Sequence, residues 1–176
     1  MKMKNSTYHK KRGFTLLELM VTTSMLAILT TASMTLVRTS HTAWNLHSAE
    51  QETRQSGIAV LRHIVRETRQ ASGVVAITDP SNLSGSISLL NAAGETLVWS
   101  HDPINKRVLF GVSTATDVLA NGIEELSFQG IRADGVQTTT EVGLVHSIKA
   151  TTKVTLNKGA STEDVITSCQ AWLRAW

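Results

Sequence analysis

"KKRGFTLLELMVTTSMLAILTTASMTLV", residues 10–37, decides how the rest of the chain is read. Three cations and a glycine lead into an apolar run that holds a single ionisable group, Glu18. As a helix, Phe14 to Val37 reaches ~36 Å at a rise of ~1.5 Å per residue, enough to cross a hydrocarbon core of ~30 Å. The cations before the run, set against Arg38 alone just after it, orient the N-terminus to the cytoplasm and the remainder across the membrane.

Three readings compete for this segment. One is a secretory signal peptide cut after a small residue, for which Thr30-Thr31-Ala32 would serve. Another is a plain signal anchor. The third takes Gly13 as the cleavage point and keeps the apolar run in the mature protein. Glu18 weighs against the first two, because a carboxylate in hydrocarbon costs roughly 2.5–3.5 kcal/mol even on lenient insertion scales. Such acids are usually placed to meet a partner.

Charge and cysteine content narrow the rest. The net charge of +3 comes from the first 13 residues, which hold Lys2, Lys4, Lys10, Lys11 and Arg12 and no acid. Without those five, 12 Lys and Arg face 14 Asp and Glu, so the remainder offers no basic face for nucleic acid. Cys169 stands alone, which excludes an intramolecular disulfide and fits a buried, inert thiol. Histidines 9, 41, 47, 63, 101 and 146 lack zinc-ligand spacing, so no metal or other cofactor is expected.

"KRGFTLLELMV" resembles the class III leader and N-terminus of type IV pilins and type II secretion pseudopilins. Basic leader, glycine, phenylalanine, threonine, two apolar residues and glutamate fall in that order before the apolar run. The resemblance implies a prepilin peptidase that cuts between Gly13 and Phe14 and methylates Phe14. It also implies that Glu18 meets the N-terminal amine of Phe14 in a neighbouring subunit. Two charges costly alone in an apolar bundle compensate each other when subunits stack. The sequence departs from major pilins in having no proline inside this helix, the first being Pro80.

Thr23, Ala27, Thr31 and Thr35 recur at i+4 spacing along the segment. The stripe can let membrane helices approach closely, with hydroxyls as cross-helix donors. Equally, those hydroxyls can bond back to carbonyls of their own helix.

No proline interrupts residues 14–79, and one helix is expected from about Phe14 to about Ala71, ~85 Å long by its rise. Ile58, Leu61, Val65 and Thr68 mark its sheet-facing stripe, and Gly57 is a possible soft point. Arg54, Arg62, Arg66 and Arg69 are expected on a solvated face, with Glu50 supporting Arg54. Ser72-Gly73 ends the helix plausibly. The period then changes to two. "GVVAIT", "SISLL", "TLVWS", "RVLFGV", "GIEELSFQGI", "LVHSIKATTKVTL" and "EDVITSCQAWL" read as strands of an antiparallel sheet, with "NAAGE" and "HDPINK" as hairpin connections. The expected fold is α+β, a long N-terminal helix packed on that sheet. Its divisions are a leader (1–13), a transmembrane assembly helix (14–37), an amphipathic continuation (38–72) and a periplasmic sheet domain (73–176). The strand order after "LANGIEELSFQ" is most like a J-type minor pseudopilin or a PilW-like minor pilin.

Catalytic patterns are missing: there is no GxSxG elbow, glycine-rich phosphate loop or HExxH. Adjacent acids Glu124-Glu125 and Glu163-Asp164 point to opposite faces of a strand, which makes them strand-edge charges rather than acid/base dyads. His101-Asp102 reads as a turn before Pro103. Trp172 is expected to cap the core and Trp176 to fray, with "AWLRAW" as an exposed contact surface the alternative. The expected function is a structural subunit of a pseudopilus or pilus, anchored in the inner membrane until assembly. Its partners would be prepilin peptidase, other pilins or pseudopilins and an inner-membrane assembly platform. The competing function is a signal-anchored periplasmic binding module never cut at Gly13.

Overall fold

The structure is a computed structural model that describes residues 13–138, 141–159 and 161–174, the side chain of Thr138 excepted. One helix, α1 (Leu16–Thr68), is followed by β1 (Gly73–Ile77), β2 (Ser86–Leu90), β3 (Thr96–Asp102), β4 (Arg107–Val112), β5 (Asp117–Asn121), β6 (Glu125–Arg132), β7 (Gln137–Thr138), β8 (Val145–Asn157) and β9 (Thr162–Trp172). A short 3-10 turn at Val142–Leu144 precedes β8. The chain divides into two compact units, one ending at Trp44 and one starting at Asn45. The described part of the first is helical from Leu16 onward; the second carries the rest of α1 and all nine strands.

The start of α1 follows from its sequence. Thr15 is the cap: its Oγ1 accepts the Glu18 amide N–H at 3.3 Å, and its carbonyl takes the first helical bond from Leu19 N at 3.1 Å. Thr-x-x-Glu is the capping-box spacing, and a carboxylate in the first turn also complements the helix dipole. Past Thr68 the chain tightens into a turn, then enters β1 at Gly73, so the helix ends within three residues of where the sequence places it.

In the second unit α1 buries Gly57, Val60, Leu61, Ile64 and Thr68. This corrects the expected stripe: Leu61 and Thr68 lie in it, whereas Ile58 and Val65 are half-buried at its flank. Gly57 accounts for the rotation. A Cβ there would sit 3.2 Å from Val154 Cγ1 and 3.5 Å from Thr152 Oγ1, so the helix is seated against β8 at its smallest residue. Gly57 is therefore a point of closest approach rather than a soft point. Gly57→Leu is expected to cost about 1–3 kcal/mol through overpacking, read as a lower urea midpoint with the fold kept. An unchanged midpoint would mean that helix and strand do not meet there.

The strands form two antiparallel sheets, β1-β2-β3-β4-β5 and β7-β6-β8-β9, where the sequence suggested one. The break is made by the segment before β2. Gly85 N donates to Leu126 O at 2.7 Å and Leu126 N to Leu83 O at 2.9 Å, joining the two sheets through β6. A side chain at Gly85 would meet Leu126 O at 2.9 Å, so the crossing requires glycine. β5 and the two-residue β7 were not foreseen; β5 is exposed at Asp117, Val118 and Asn121, half-buried only at Leu119 and Ala120, and lacks the in–out alternation that betrays a strand. Where alternation is clean the strands fall as expected, as in β3, which buries Leu97, Trp99 and His101 in turn. The core runs from Val60, Leu61 and Ile64 through Ile87, Leu89, Trp99 and Val108 to Leu126, Phe128, Ile148, Val154 and Leu156.

Candidate functional site

From Gly13 to Ala49 every residue is exposed, including Phe14 at 80% and the apolar side chains of residues 16–37. The helix is long and apolar enough there to cross a membrane. An apolar surface of this extent is stable only against lipid or other protein. Among the described residues, nothing lies within 4 Å of where a Cβ at Gly13 would sit. Glu18 stands one turn into the helix, its amide held by Thr15. Gly13, Phe14 and Glu18 thus lie together at one exposed helix start. The remainder of the expected leader, residues 1–12, lies outside the described residues.

The small-residue stripe satisfies its own hydroxyls. Thr23 Oγ1 donates to Leu19 O at 3.0 Å, Thr31 Oγ1 to Ala27 O at 2.8 Å and Thr35 Oγ1 to Ala32 O at 2.8 Å. Within the single chain this is the back-bonding of the two readings. Thr23, Ala27 and Thr31 are exposed small residues, and the two threonine donors are already occupied.

The sheet region holds the other titratable groups in structural roles. His63 accepts Trp99 Nε1–H on Nδ1 at 3.2 Å and meets Phe110 edge-on at 4.7 Å between ring centroids. Burial, with Arg66 nearby, lowers its pKa from the ordinary histidine value. His101 and Asp102 are not in a turn but end β3, correcting the expectation. His101 is buried and its Nε2 lies 2.9 Å from Ile123 O. Asp102 closes the following turn: it accepts from Asn105 Nδ2 at 2.8 Å and Asn105 N at 3.2 Å, and from Arg107 Nε at 2.9 Å. Those bonds, with the Asn105 side chain foremost, pull its carboxyl down to about 2.

The members of each acid pair meet different lysines; Glu163 and Asp164 lie in β9, whereas Glu124 stands just before β6 and only Glu125 is in the strand. Glu124 meets Lys106 at 2.7 Å, while Glu125 meets Lys153 at 2.9 Å. Glu163 pairs with Lys158, and Asp164 reaches Lys153 at 3.2 Å. Among the described residues no three His, Cys, Asp or Glu gather as metal ligands. Burial pushes the Cys169 thiol up, away from its reactive thiolate form. Trp172 is 57% exposed and does not cap the core; its neighbours Ala171 and Leu173 are the buried ones. Trp176 lies outside the described residues. Sequence reasoning missed the Thr15 cap, although Thr-x-x-Glu was legible, and missed the Trp99–His63 pair, which joins positions 36 apart and has no local signal.

A search among curated proteins finds no match for this chain. The family model of the prokaryotic N-terminal methylation motif matches residues 8–34, spanning Lys10, Lys11 and Arg12 at the end of the leader, Gly13, Phe14, Glu18 and most of the apolar run. That motif marks structural subunits rather than enzymes, and implies processing by prepilin peptidase and assembly with other pilins. With the exposed apolar helix, it supports membrane anchorage and the type IV pilin and pseudopilin class.

Proposed function

We propose that this chain is a minor pilin or pseudopilin, a structural subunit of a type II secretion pseudopilus or a type IV pilus. The observation that carries the proposal is the helix start itself. Gly13, Phe14 and Glu18 are exposed at the head of a helix whose apolar residues 16–37 are exposed as well. Prepilin peptidase cuts after Gly13 and methylates Phe14. The apolar run of 14–37 holds the subunit in the inner membrane, N-terminus in the cytoplasm, and later packs in the filament. The new amine at Phe14 and the carboxylate of a neighbour's Glu18 then form an ion pair, relieving two charges that hydrocarbon penalises separately. Thr23, Ala27 and Thr31 admit a close helix neighbour. Residues 38–72 continue as the amphipathic half of the helix, and the sheets of 73–176 face the periplasm or exterior and select neighbours. An inner-membrane platform drives assembly. The strand order favours a J-type minor pseudopilin or a PilW-like minor pilin.

Mass analysis of the mature N-terminus in the native host tests this. A methylated Phe14 start is expected. An intact leader, or a start at Ser33, would instead support a signal-anchored binding module or a secreted one and overturn the proposal.

A further inference from the structure

β9 ends its sheet: β8 lies on one side and, among the described residues, no strand on the other. Exposed strand edges are usually blunted by proline, lysine, a bulge or shortness, because their free amides and carbonyls recruit other chains. β9 has none of these devices. It is 11 residues long, contains neither proline nor lysine, and pairs with β8 through an unbroken register from Ser147↔Trp172 to Asn157↔Thr162. Its only charges, Glu163 and Asp164, sit at its start, leaving Val165–Trp172 uncharged. On the inner face Val165, Thr167 and Cys169 are only half-buried, so α1 leaves this edge partly open.

Between that edge and α1 runs a groove of about 440 Å³, floored by Ile58, Leu61 and Val65 of the helix and by Thr167–Cys169 of β9. Its helical rim carries Arg62, Arg66 and Arg69, and no carboxylate lines it. Arg66 is held by Glu67 at 2.9 Å, while no ion pair among the described residues engages Arg62 or Arg69. Arg62 and Arg69 are ~10.5 Å apart along the helix axis by its rise, within side-chain reach of the ~13 Å between residues i and i+4 on one face of an extended strand.

We propose that this groove is a docking site for an acidic extended segment of another polypeptide, which adds as a strand to the free edge of β9. Main-chain hydrogen bonds to β9 supply affinity. Apolar side chains of the incoming strand fill the floor at Ile58 and Val65, and its carboxylates meet Arg62 and Arg69. The groove lies wholly within residues 58–169 and uses nothing of the apolar run, so it stands whether or not Gly13 is cut.

The test uses the full chain in detergent micelles and an end-capped, fluorescent eight-residue peptide in which glutamate and valine alternate along one face and threonine fills the other. The valine–lysine counterpart serves as the control. Binding by anisotropy is expected for the glutamate peptide, weakening as salt is raised, with the lysine peptide at least tenfold weaker. Arg62→Gln with Arg69→Gln should weaken binding tenfold or more, whereas Arg54→Gln, on the same helix but outside the groove, should leave it unchanged. Bound peptide should also slow alkylation of Cys169 by a maleimide about tenfold. Absence of binding, equal binding of both peptides, indifference to the double substitution, or an unprotected Cys169 would each overturn the proposal. Self-association that shields Cys169 without peptide would assign the groove to a second copy of the chain and overturn it as well.

Discussion

Replacing Trp99 by alanine is expected to cost about 3–5 kcal/mol of stability, the largest effect of any single truncation in the sheet region. Trp99 is fully buried, the bulkiest of the fully buried side chains, at the centre of β3. Its ring meets Phe110 at 4.9 Å and His63 at 5.8 Å between centroids, which ties β3, β4 and α1 into one cluster. Truncation leaves a cavity that three elements must collapse to fill, and packing at native density relaxes only partly. It also removes the indole N–H that His63 Nδ1 accepts, so a half-buried imidazole nitrogen loses its donor. Urea unfolding of the full chain in micelles, followed by near-ultraviolet circular dichroism, measures the loss. A change below about 1 kcal/mol would show that the α1–β3 contact is not where the core closes.

The second large effect concerns assembly rather than folding. Glu18→Ala is expected to leave cleavage after Gly13 largely intact, yet to lower incorporation into filaments by tenfold or more. An amine buried among apolar helices without its counter-charge costs roughly 3–5 kcal/mol, and tenfold already corresponds to ~1.4 kcal/mol. The Thr15 cap is made by the Glu18 backbone amide and survives in the alanine variant, but the charge in the first turn does not. Glu18 occupies the third helical position after Thr15, so its loss also weakens the helix start by about 0.3–1 kcal/mol. Glu18→Gln keeps the size of the side chain and removes its charge, so it asks whether the charge itself is needed. Quantifying cleaved and filament-associated protein for both variants gives the answer. Equal defects support the ion pair; normal incorporation of Glu18→Gln would show that the charge is not needed and sink its pairing role.

Much of the fold was legible because it is written in local terms. Uninterrupted residues 14–79 contain no proline, and α1 follows. Alternation in "TLVWS" and "LVHSIKATTKVTL" gave β3 and β8 nearly to the residue. Where alternation failed, as in "DVLAN", an edge strand paired only with β4 went unseen, since its backbone bonds rather than its side chains hold it. The helix stripe was misplaced by about one residue's rotation because hydrophobicity favours Ile58 and Val65 over Gly57. The side that packs closest is set by what β8 allows there, which is glycine. Trp172 misled for a related reason: strand parity puts Cys169 and Ala171 inward, and its size cannot reverse that.

The sequence alone determined the N-terminal segment, from the basic leader through Gly13, Phe14 and Glu18 to the apolar run. Each of those properties is a matter of spacing along one chain, and the helix adds no partner to them. Tertiary structure alone decided that the strands divide into two sheets, where the main chain crosses at Gly85, and that β9 ends its sheet beside three arginines of α1. Those outcomes depend on contacts between residues far apart in the chain. The energy of such contacts comes from shape and from unpaired backbone groups, neither of which leaves a periodic trace in the sequence.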